Sequence, residues 1–387
     1  MLKCISVYTY EIDNPEAALN EIKKQLDEKN MPQGNTVGLI MCHTEFIASG
    51  VMKYICENLP FDIVGITTAS QAVNDEAGEL ILTLFVMVSD DIRFKVGITD
   101  SLNDGIYETT KNAYDKAAKG EPEPPGLILL FTPYSVDLYS GDAYVKAWSK
   151  IAPSVPLFGT AAADDTLELN NCETILNGES SKDKAPFMLC YGNINPRFMI
   201  ATLPENSILS LKGKITKSEN NYIYEINGVN TRKFFMDAGI PDSMITVPLL
   251  INTTESERSD RVPVIRELFA YNEDGVGMLG GDVKEGSTFS LLSFESKNIK
   301  QSSKIEIEKI STLPDVNGAI LFSCASRRIG LLGTGDDLEE LQIAKNAIGQ
   351  DVPFIMGYSG GEICPTSVID GTPINRFHNY SVVILLV

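Results

Sequence analysis

The chain has 387 residues, of which 43% are hydrophobic and 22% charged, and its formal net charge is −20. A chain of this length exceeds what one typical hydrophobic core supports, so two domains are expected. The negative charge disfavours contact with nucleic acid and with anionic membranes, because like charges repel during encounter. No apolar run approaches the roughly 20 residues that a membrane-spanning helix needs, and the first residues lack the apolar segment of a signal peptide.

Cysteine and histidine usage limits the chemistry. The seven cysteines are widely spread and include no C-x-x-C pair, which favours a reducing compartment over a disulfide framework or a structural zinc site. His43 and His378 are the two histidines. A mechanism that needs several imidazole groups is therefore excluded, and a cytoplasmic location is expected.

The first part of the chain alternates helices with apolar strands. Amphipathic periodicity predicts a helix over residues 14–30. Further helices are predicted at 46–56, 104–118 and 142–150, and strands at 36–41, 63–66, 80–88, 93–98, 126–131, 155–158 and 187–191. We expect residues 93–98 to pair with residues 80–88 as an antiparallel neighbour.

The pattern changes near residue 198 to consecutive strands. Strands are predicted at 198–203, 208–215, 222–226, 247–251, 264–271, 276–279 and 288–294, and helices at 231–238 and 296–310. We predict two domains, at 1–219 and 220–387, with the boundary just before the Asn227-Gly228 turn signal. The charged run 256–261 is expected to be an exposed loop.

The last seventy residues bring several reactive groups to connecting loops. A strand is predicted at 318–322, a helix at 338–348 and strands at 352–356 and 382–387. Between them lie a thiol, a guanidinium, a glycine turn, a carboxylate and an imidazole. Loops at the carboxyl ends of strands are where open α/β sheets bind ligands.

Three segments of the chain share one pattern. Apolar strands that begin with Gly38, Gly126 and Gly318 are each followed by a helix, a strand with a small-residue turn, and a further apolar strand. The turns are G-I-T-T at 65–68, G-T-A-A at 159–162 and G-Y-S-G at 357–360. We interpret this as an internal repeat of strand–helix–strand units, with chance similarity among such units as the alternative. The expected fold is α/β (mixed α+β), two domains with helix-flanked mixed sheets in which helix-linked strands are parallel and the later strands antiparallel.

Several short motifs of the second half occur in a fixed order. They are G-V-G-M-L-G-G-D at 275–282, E-G-S at 285–287, F-S-C-A-S-R at 322–327, G-Y-x-x-G-E-I at 357–363 and His378-Asn379. In this order and spacing, the region from about residue 222 to the end resembles the C-terminal half of the FIST sensory-domain family. The first half resembles the N-terminal FIST domain through V-G-I-T-T-A at 64–69 and L-F-G-x-x-A-x-D at 157–164.

This resemblance implies an intracellular sensor that binds a small ligand and signals through a separate protein, such as a histidine kinase or a cyclic-dinucleotide enzyme. Members of the family are associated with amino-acid metabolism, some bacterial relatives bind haem and sense nitric oxide, and eukaryotic relatives occur in ubiquitin-ligase adaptors. Ser70-Gln71 departs from the Gly-Glu that many relatives carry there. A polar ligand contact at this turn is thereby put in doubt.

The candidate ligand-binding residues of the third repeat begin with Cys324 and Arg327. A neighbouring cation would lower the pKa of the Cys324 thiol and make it reactive, whereas a buried cysteine would be inert. Arg327 or Arg328 suits bidentate contact with a ligand carboxylate. Ion pairing with the acidic residues at 336–339 is the alternative.

The glycine turn and the final loop supply the other candidates. Gly357 and Gly361, with Tyr358 between them, allow close approach of a ligand or simply a tight turn. Glu362 is suited to pair with a ligand amine, and a solvated glutamate on the protein surface is the alternative. His378, followed by Asn379, is a candidate haem ligand, a ligand contact or a structural hydrogen-bonding group.

Three polar residues of the first half are further candidates. Thr67, Thr68 and Asp164 suit hydrogen bonds to a polar ligand, with turn capping as an equal alternative. His43 occupies the position of the Cys324 cluster in the first repeat, so it is expected near a loop-lined pocket.

Three functions are compatible with these residues. In the leading one, a sensor binds a small ligand such as an amino acid, with Arg327 on its carboxylate and Glu362 on its ammonium, and no catalysis occurs. The alternatives are a haem-based gas sensor with His378 on the iron, and an enzyme with Cys324 as nucleophile and His378 as base. We expect Arg327, Glu362 and His378 to converge on one hollow.

Overall fold

The computed structural model describes residues 2–134, 140–166, 169–242, 246–252 and 262–387, so the predicted loop at 256–261 lies outside the described residues. Its helices are α1 Pro15–Glu28, α2 Glu45–Ala48, α3 Val51–Asn58, α4 Ile106–Ala117, α5 Gly141–Ile151, α6 Thr231–Asp237, α7 Ser296–Ile310, α8 Ala325–Ile329 and α9 Glu339–Ile348. The mixed α/β prediction is confirmed, and the helix predicted at 296–310 matches α7.

The strands fall into two groups along the chain. The first group is β1 Leu2–Thr9, β2 Asn35–Cys42, β3 Asp62–Thr67, β4 Gln71–Val73, β5 Ala77–Gly78, β6 Leu82–Ser89, β7 Arg93–Ile98, β8 Leu127–Thr132, β9 Leu157–Ala161, β10 Thr174–Leu176, β11 Glu179–Ser181, β12 Pro186–Tyr191 and β13 Arg197–Ala201. The second is β14 Ile208–Glu219, β15 Tyr222–Ile226, β16 Val229–Asn230, β17 Val247–Asn252, β18 Val264–Tyr271, β19 Gly277–Leu279, β20 Thr288–Leu292, β21 Ala319–Cys324, β22 Phe354–Ser359, β23 Glu362–Ile369, β24 Thr372–His378 and β25 Val382–Leu386.

Three sheets are built on one plan, as the repeat predicts. Each contains a parallel pair joined through helix: β2 with β3, β8 with β9, and β21 with β22. An antiparallel strand (β6, β12 or β25) pairs with the first member of each pair. An outer antiparallel strand (β1, β7 or β13) completes the plan. We call these repeats unit 1 (residues 2–89), unit 2 (93–191) and unit 3 (197–201 with 319–386).

Each unit gives a hairpin to the sheet of another unit. The β4–β5 hairpin of unit 1 joins β22 of unit 3. The β10–β11 hairpin of unit 2 joins β3 of unit 1, and the β23–β24 hairpin of unit 3 joins β9 of unit 2. The exchange is cyclic, so each of these sheets is completed by another part of the chain.

The three sheets enclose a common core. Because side chains alternate along a strand, one face of each sheet points inward and the other packs on helices. The ring of Phe322 in unit 3 lies 6.3 Å from that of Phe131 and 5.5 Å from that of Phe158, both in unit 2. Strands covered on both faces are apolar along their length, which explains the continuous hydrophobic runs in the sequence.

The glycines shared by the first two repeats are structural. A Cβ atom on Gly65 would lie 1.9 Å from the carbonyl oxygen of Ile40, and one on Gly159 would lie 1.8 Å from that of Leu130. Neither position tolerates a side chain while the parallel pair keeps its spacing. These glycines therefore preserve the contact between the two parallel strands.

A fourth sheet is contributed by the middle of the chain. Its order is β14-β20-β17-β18-β19-β15-β16, and an additional pairing of β14 with β15 closes it on itself. On β18, Arg266 donates to the carboxylate of Asp142 in α5 at 2.9 Å and to the carbonyl oxygen of Phe377 at 2.8 Å. These bonds fasten the fourth sheet to unit 2 and its exchanged hairpin.

One predicted strand pairing is wrong. Residues 93–98 form β7, which pairs with β12 of unit 2 and not with the preceding strand β6. Both edges of β6 are occupied, by β1 on one side and β2 on the other. The chain therefore crosses to the next sheet and cannot fold back.

The hairpin β23–β24 is absent from the sequence-based prediction, which has a loop there. Pro365 and Pro373 obscure the strands, but the turn follows a known rule. Asp370 and Gly371 have φ angles of 49° and 76°, as a two-residue type I′ turn requires. The Asp-Gly pair was thus a usable hairpin signal.

The predicted division between residues 219 and 220 falls in the β14–β15 hairpin, where Glu219 pairs with Tyr222. Strand pairing joins residues from both sides of this division in β4 with β22, β9 with β23 and β13 with β25. The division itself remains a prediction.

Candidate functional site

The carboxyl ends of the three parallel strand pairs meet at one end of the common core. Backbone hydrogen bonds link the turns that follow β3, β9 and β22. The Ala69 N–H donates to the Tyr358 carbonyl at 3.1 Å, the Ala163 N–H to Thr67 at 3.0 Å and the Gly360 N–H to Ala161 at 2.9 Å. The strand-end loops of all three units are therefore held together, as the rule for ligand sites in α/β sheets requires.

A cavity of about 220 Å³ lies at this junction. Ala69 of unit 1, Asp164 of unit 2 and Cys324 of unit 3 all border it, as do Glu267 and Phe269 of the fourth sheet. A small neighbouring cavity of about 30 Å³ shares Glu267 and Phe269 with it. The site is thus assembled from all parts of the fold.

Glu267 on β18 is one of the acidic groups that border the cavity, with Asp164 and Asp165. The Ser326 hydroxyl lies 2.7 Å from each of its carboxylate oxygens and donates to them. Burial raises the pKa of Glu267 to about 7, and the hydrogen bond from Ser326 offsets part of that effect. Glu267 keeps some exposure because its carboxylate borders the cavity while protein surrounds it elsewhere.

Among the described residues that line the cavity, Arg328 is the one with a positively charged side chain. Its Nη2 donates to Oε1 of Glu79 at 2.5 Å, and the side chain of Glu79 is 53% exposed. The buried Nε of Arg328 has no hydrogen-bond partner among the residues that the structure describes. Arg328 therefore has donor capacity beyond its pairing with an exposed glutamate.

His43 lies at the edge of the same site. Its Nε2 is 3.3 Å from Oδ1 of Asp165, which borders the cavity, and its Nδ1 accepts from the Glu45 backbone N–H at 3.2 Å. The position matching the Cys324 cluster in the first repeat thus reaches the cavity through an acidic partner.

Cys324 borders the cavity, but its environment opposes thiolate formation. Burial raises the pKa of this thiol well above its ordinary value, and the nearby carboxylates of Glu362 and Glu267 raise it further. The expected lowering by a neighbouring cation does not occur. The thiol is therefore a neutral group of the cavity wall at physiological pH.

Glu362 lies behind Cys324 and is fully buried. Burial raises the pKa of Glu362 well above its usual range, although Arg327 acts in the opposite direction. The Cys324 thiol and the Ser381 backbone N–H are near enough to lower that pKa, yet neither reaches hydrogen-bond geometry. Both carboxyl oxygens lack a hydrogen-bond partner among the described residues.

Arg327 does not border the cavity and is fully buried. Its Nε and Nη2 contact Oε1 of Glu340 at 3.0 and 2.9 Å, and Nη1 donates to the Tyr380 carbonyl at 2.9 Å. Nη2 also lies within 3.0 Å of the hydroxyls of Ser302 and Ser303. The guanidinium is therefore committed to a buried ion pair that joins α7, α8 and α9.

His378 is also buried and does not border the cavity. Its Nε2 lies 3.1 Å from the carbonyl oxygen of Cys364 on the paired strand. Haem iron binds a ring nitrogen of the imidazole, and the porphyrin needs a slot much larger than this cavity. The surroundings of His378 thus do not fit a haem ligand, and Arg327, Glu362 and His378 do not open onto one hollow.

The predicted polar residues of the first half have local partners. Asp164 borders the cavity, and its carboxylate accepts from the backbone N–H groups of Thr166 and Asn171 at 2.8 and 2.6 Å. The Thr67 hydroxyl accepts from the Glu173 N–H at 2.9 Å. These bonds are the turn-capping interactions that were the alternative to ligand contact.

The turn with the unusual Ser70-Gln71 pair serves the hairpin exchange. The Thr68 hydroxyl donates to the Gln71 side-chain oxygen at 2.6 Å, and the Gln71 amide donates to the carbonyl of Ile81. Gln71 opens β4, which pairs with unit 3. Thr68 and Gln71 therefore fix the β4–β5 hairpin.

The remaining motif residues support the site from outside it. Gly357 and Gly361 leave room for the neighbouring side chains of Thr68 and Phe377, respectively. Tyr358 is fully buried in the core, and burial raises the pKa of its hydroxyl. Asn379 borders the small cavity, and its Oδ1 accepts from the Glu267 backbone N–H at 3.4 Å.

Sequence reasoning missed Glu267 and Ser326 as functional candidates. Ser326 lies inside the F-S-C-A-S-R motif, next to the candidate Arg327, so its hydroxyl was a signal that could have identified it as a site residue. Glu267 lies in the middle of a strand of the fourth sheet, where no local pattern marks its direction. Only the tertiary packing of the fourth sheet on the three units brings it to the cavity.

Two further findings bear on the site. In the described ranges, no helix combines the length and the apolar character needed to cross a membrane. Over the same residues, no group of three or more His, Cys, Asp and Glu side chains is arranged to hold a metal ion.

Comparison with known proteins identifies the family. The model of the FIST N domain matches residues 36–229, and that of the FIST C domain matches residues 232–365. No curated protein sequence matches the chain. FIST domains are associated with sensing and signal transduction. Because the two matches cover most of its length in the expected order, the chain belongs to the FIST family of sensory domains.

Proposed function

We propose that the protein is a sensor, without catalytic activity of its own, for a small zwitterion such as an amino acid. The ligand occupies the 220 Å³ cavity where the three units meet the fourth sheet. The observation that carries the proposal is that Glu267 and Arg328 border this one cavity. An ammonium group would pair with Glu267 and a carboxylate with Arg328.

The size of the cavity supports a small metabolite. Pockets for drug-sized molecules measure roughly 300–1,000 Å³, and this cavity lies below that range. Arg328 replaces Arg327 in the ligand-binding role predicted from the sequence, because the guanidinium of Arg327 is held by Glu340. In the described part of the chain the ion-pair partner of Arg328 is the exposed Glu79, so a ligand carboxylate can compete for the guanidinium.

Signal transfer follows from how the cavity is assembled. Its walls come from separate parts of the fold, so a ligand that contacts Glu267 on one side and Arg328 on the other favours arrangements in which these walls are close. A separate partner, such as a histidine kinase or a cyclic-dinucleotide enzyme, would recognise the altered surface. The seven free thiols support the prediction of a reducing, cytoplasmic compartment.

Titration calorimetry with a panel of amino acids tests the proposal at pH 7.5. Substituting Arg328→Gln should weaken binding by roughly 10- to 100-fold, since a charge-assisted hydrogen bond contributes about 1.5–3 kcal/mol. Arg93→Gln is the matched control, because Arg93 forms an exposed ion pair with Glu121 elsewhere on the fold. The absence of heat and of thermal stabilisation for every member of the panel would refute the proposal.

A further inference from the structure

We infer that the ligand carries a second cationic group, which passes beside Cys324 and pairs with Glu362. The inference rests on the proposed function and narrows it to a basic amino acid or a related diamine. It is carried by geometry: a fully buried carboxyl group with no hydrogen-bond partner among the described residues lies directly behind a residue of the cavity wall.

An unpartnered buried carboxyl group is costly and calls for an explanation. Burying a polar group without a compensating hydrogen bond destabilises the folded state, because the group loses its contacts with water and gains none in return. The side chains of Arg327 and Glu340, by contrast, are fully satisfied by each other and by nearby serines and carbonyls. The lack of a partner at Glu362 thus marks a position where a ligand group would supply the missing contact.

The groups that face Glu362 leave it without a cation of its own. Arg327 is the nearest positive charge, but its nitrogens are taken by Glu340 and four other acceptors. Glu267 adds a second carboxyl group from β18, which raises the pKa of Glu362 further. His378, opposite Glu362 on β24, directs Nε2 to the carbonyl of Cys364. The region behind the cavity therefore has an excess of carboxyl groups.

Cys324 connects this region with the cavity. It borders the cavity and its thiol is close to Glu362. Ser359 and Gly360, which immediately precede the Gly361-Glu362 pair, border the cavity as well. The inference requires the Cys324 side chain to move so that a linear alkylammonium chain reaches Glu362, whereas an acidic side chain at the same place would meet two carboxyl groups.

Protonation gives the inference a second readout. Burial raises the pKa of Glu362 well above its usual range in the free protein. Pairing with an ammonium group would lower that pKa again, so binding of a basic ligand at pH 7.5 should release a measurable number of protons from Glu362. Calorimetry in buffers of different ionisation enthalpy measures this number directly.

Lysine and norleucine make a matched pair, because they differ in the terminal ammonium group. We expect lysine to bind at least 10-fold more tightly than norleucine to the unmodified protein. Glu362→Gln should abolish this preference and the proton release while leaving norleucine affinity unchanged. Equal binding of lysine and norleucine, or a preference that survives in Glu362→Gln, would overturn the inference.

Two further measurements distinguish a failure of this inference from a failure of the proposed function. Cys324→Leu, which fills the approach but keeps Glu362, should also remove the preference for lysine, and it provides the test if Glu362→Gln does not fold. Cadaverine carries two ammonium groups and no carboxylate. If cadaverine binds and loses affinity in Glu362→Gln while no zwitterion binds, the inference stands and the proposed recognition of a carboxylate by Arg328 is refuted.

Discussion

Replacement of Arg327 separates a structural role from ligand binding. In Arg327→Met the methionine fills part of the space but removes both guanidinium donors from the fully buried Glu340. That carboxylate would keep only the hydroxyls of Ser303 and Ser323 as donors. The carbonyl oxygens of Tyr380 and Ile299 would lose a donor too.

The expected cost follows from these contacts. Breaking a buried ion pair by removing one partner typically costs about 3–5 kcal/mol, because an uncompensated charge stays buried. With an unfolding entropy of about 2.1 cal/mol/K per residue over 387 residues, roughly 0.8 kcal/mol/K, a loss of about 4 kcal/mol lowers the melting temperature by roughly 5 °C in a single cooperative transition.

Thermal and urea unfolding of four proteins tests this reasoning: unmodified, Arg327→Met, Glu340→Gln and the double variant. The double variant should recover at least about 2 kcal/mol relative to the sum of the single changes, since it leaves no charge uncompensated. An Arg327→Met protein that melts like the unmodified protein but no longer binds its ligand would refute the structural assignment.

The remaining predictions concern Glu267, Gly159 and Cys324. Burial raises the pKa of Glu267 from 4.5 to about 7, so between these pH values the folded state binds a proton that the unfolded state has lost. The free energy of unfolding should therefore fall by about 3 kcal/mol as the pH rises from 4.5 to 7. A Glu267→Gln variant with the same pH profile would contradict this. Gly159→Ala should destabilise the fold by at least about 3 kcal/mol in chemical unfolding, since its Cβ would meet the Leu130 carbonyl at 1.8 Å; Gly78→Ala, with nearest contacts of 3.4 Å or more, is the tolerated control. The Cys324 thiol of the native protein should react slowly with iodoacetamide at pH 7.5, because its pKa is raised. Labelling is mapped by mass spectrometry, with the Cys324→Ser variant as control. Rapid labelling of Cys324 would favour the alternative hypothesis of a cysteine-dependent enzyme.

The repeat and the family were predictable because they depend on local patterns. The repeated order of apolar strand, helix and small-residue turn revealed the three units, and Gly65 and Gly159, from two of these turns, are glycines for the same steric reason in the structure. The cavity was only partly predictable. Cys324 and Asp164 border it, as expected of candidate ligand-binding residues. The direction of the Arg327 side chain could not be predicted, because it depends on whether the segment after β21 faces the cavity or the helices α7 and α9.

Pairing between distant strands accounts for the other misses. Residues 93–98 have the composition of a neighbour for β6, and only the prior occupation of both β6 edges sends them elsewhere. Glu267 alternates with buried residues on β18 like any partly exposed strand residue. Its role arises from where the fourth sheet docks, which no short stretch of sequence encodes.

The cyclic exchange of hairpins makes the three repeats mutually dependent. A fragment that ends near residue 219 would hold β9 without the β23–β24 hairpin and the β4–β5 hairpin without β22. The complementary fragment, residues 220–387, would hold the β23–β24 hairpin and β22 without these partners. Both fragments would therefore expose open sheet edges, which invite aggregation. The fragments 1–219 and 220–387 should therefore be obtained in native form only by co-expression. A break in any one of the three hairpin exchanges would also disturb the cavity at which the three units meet.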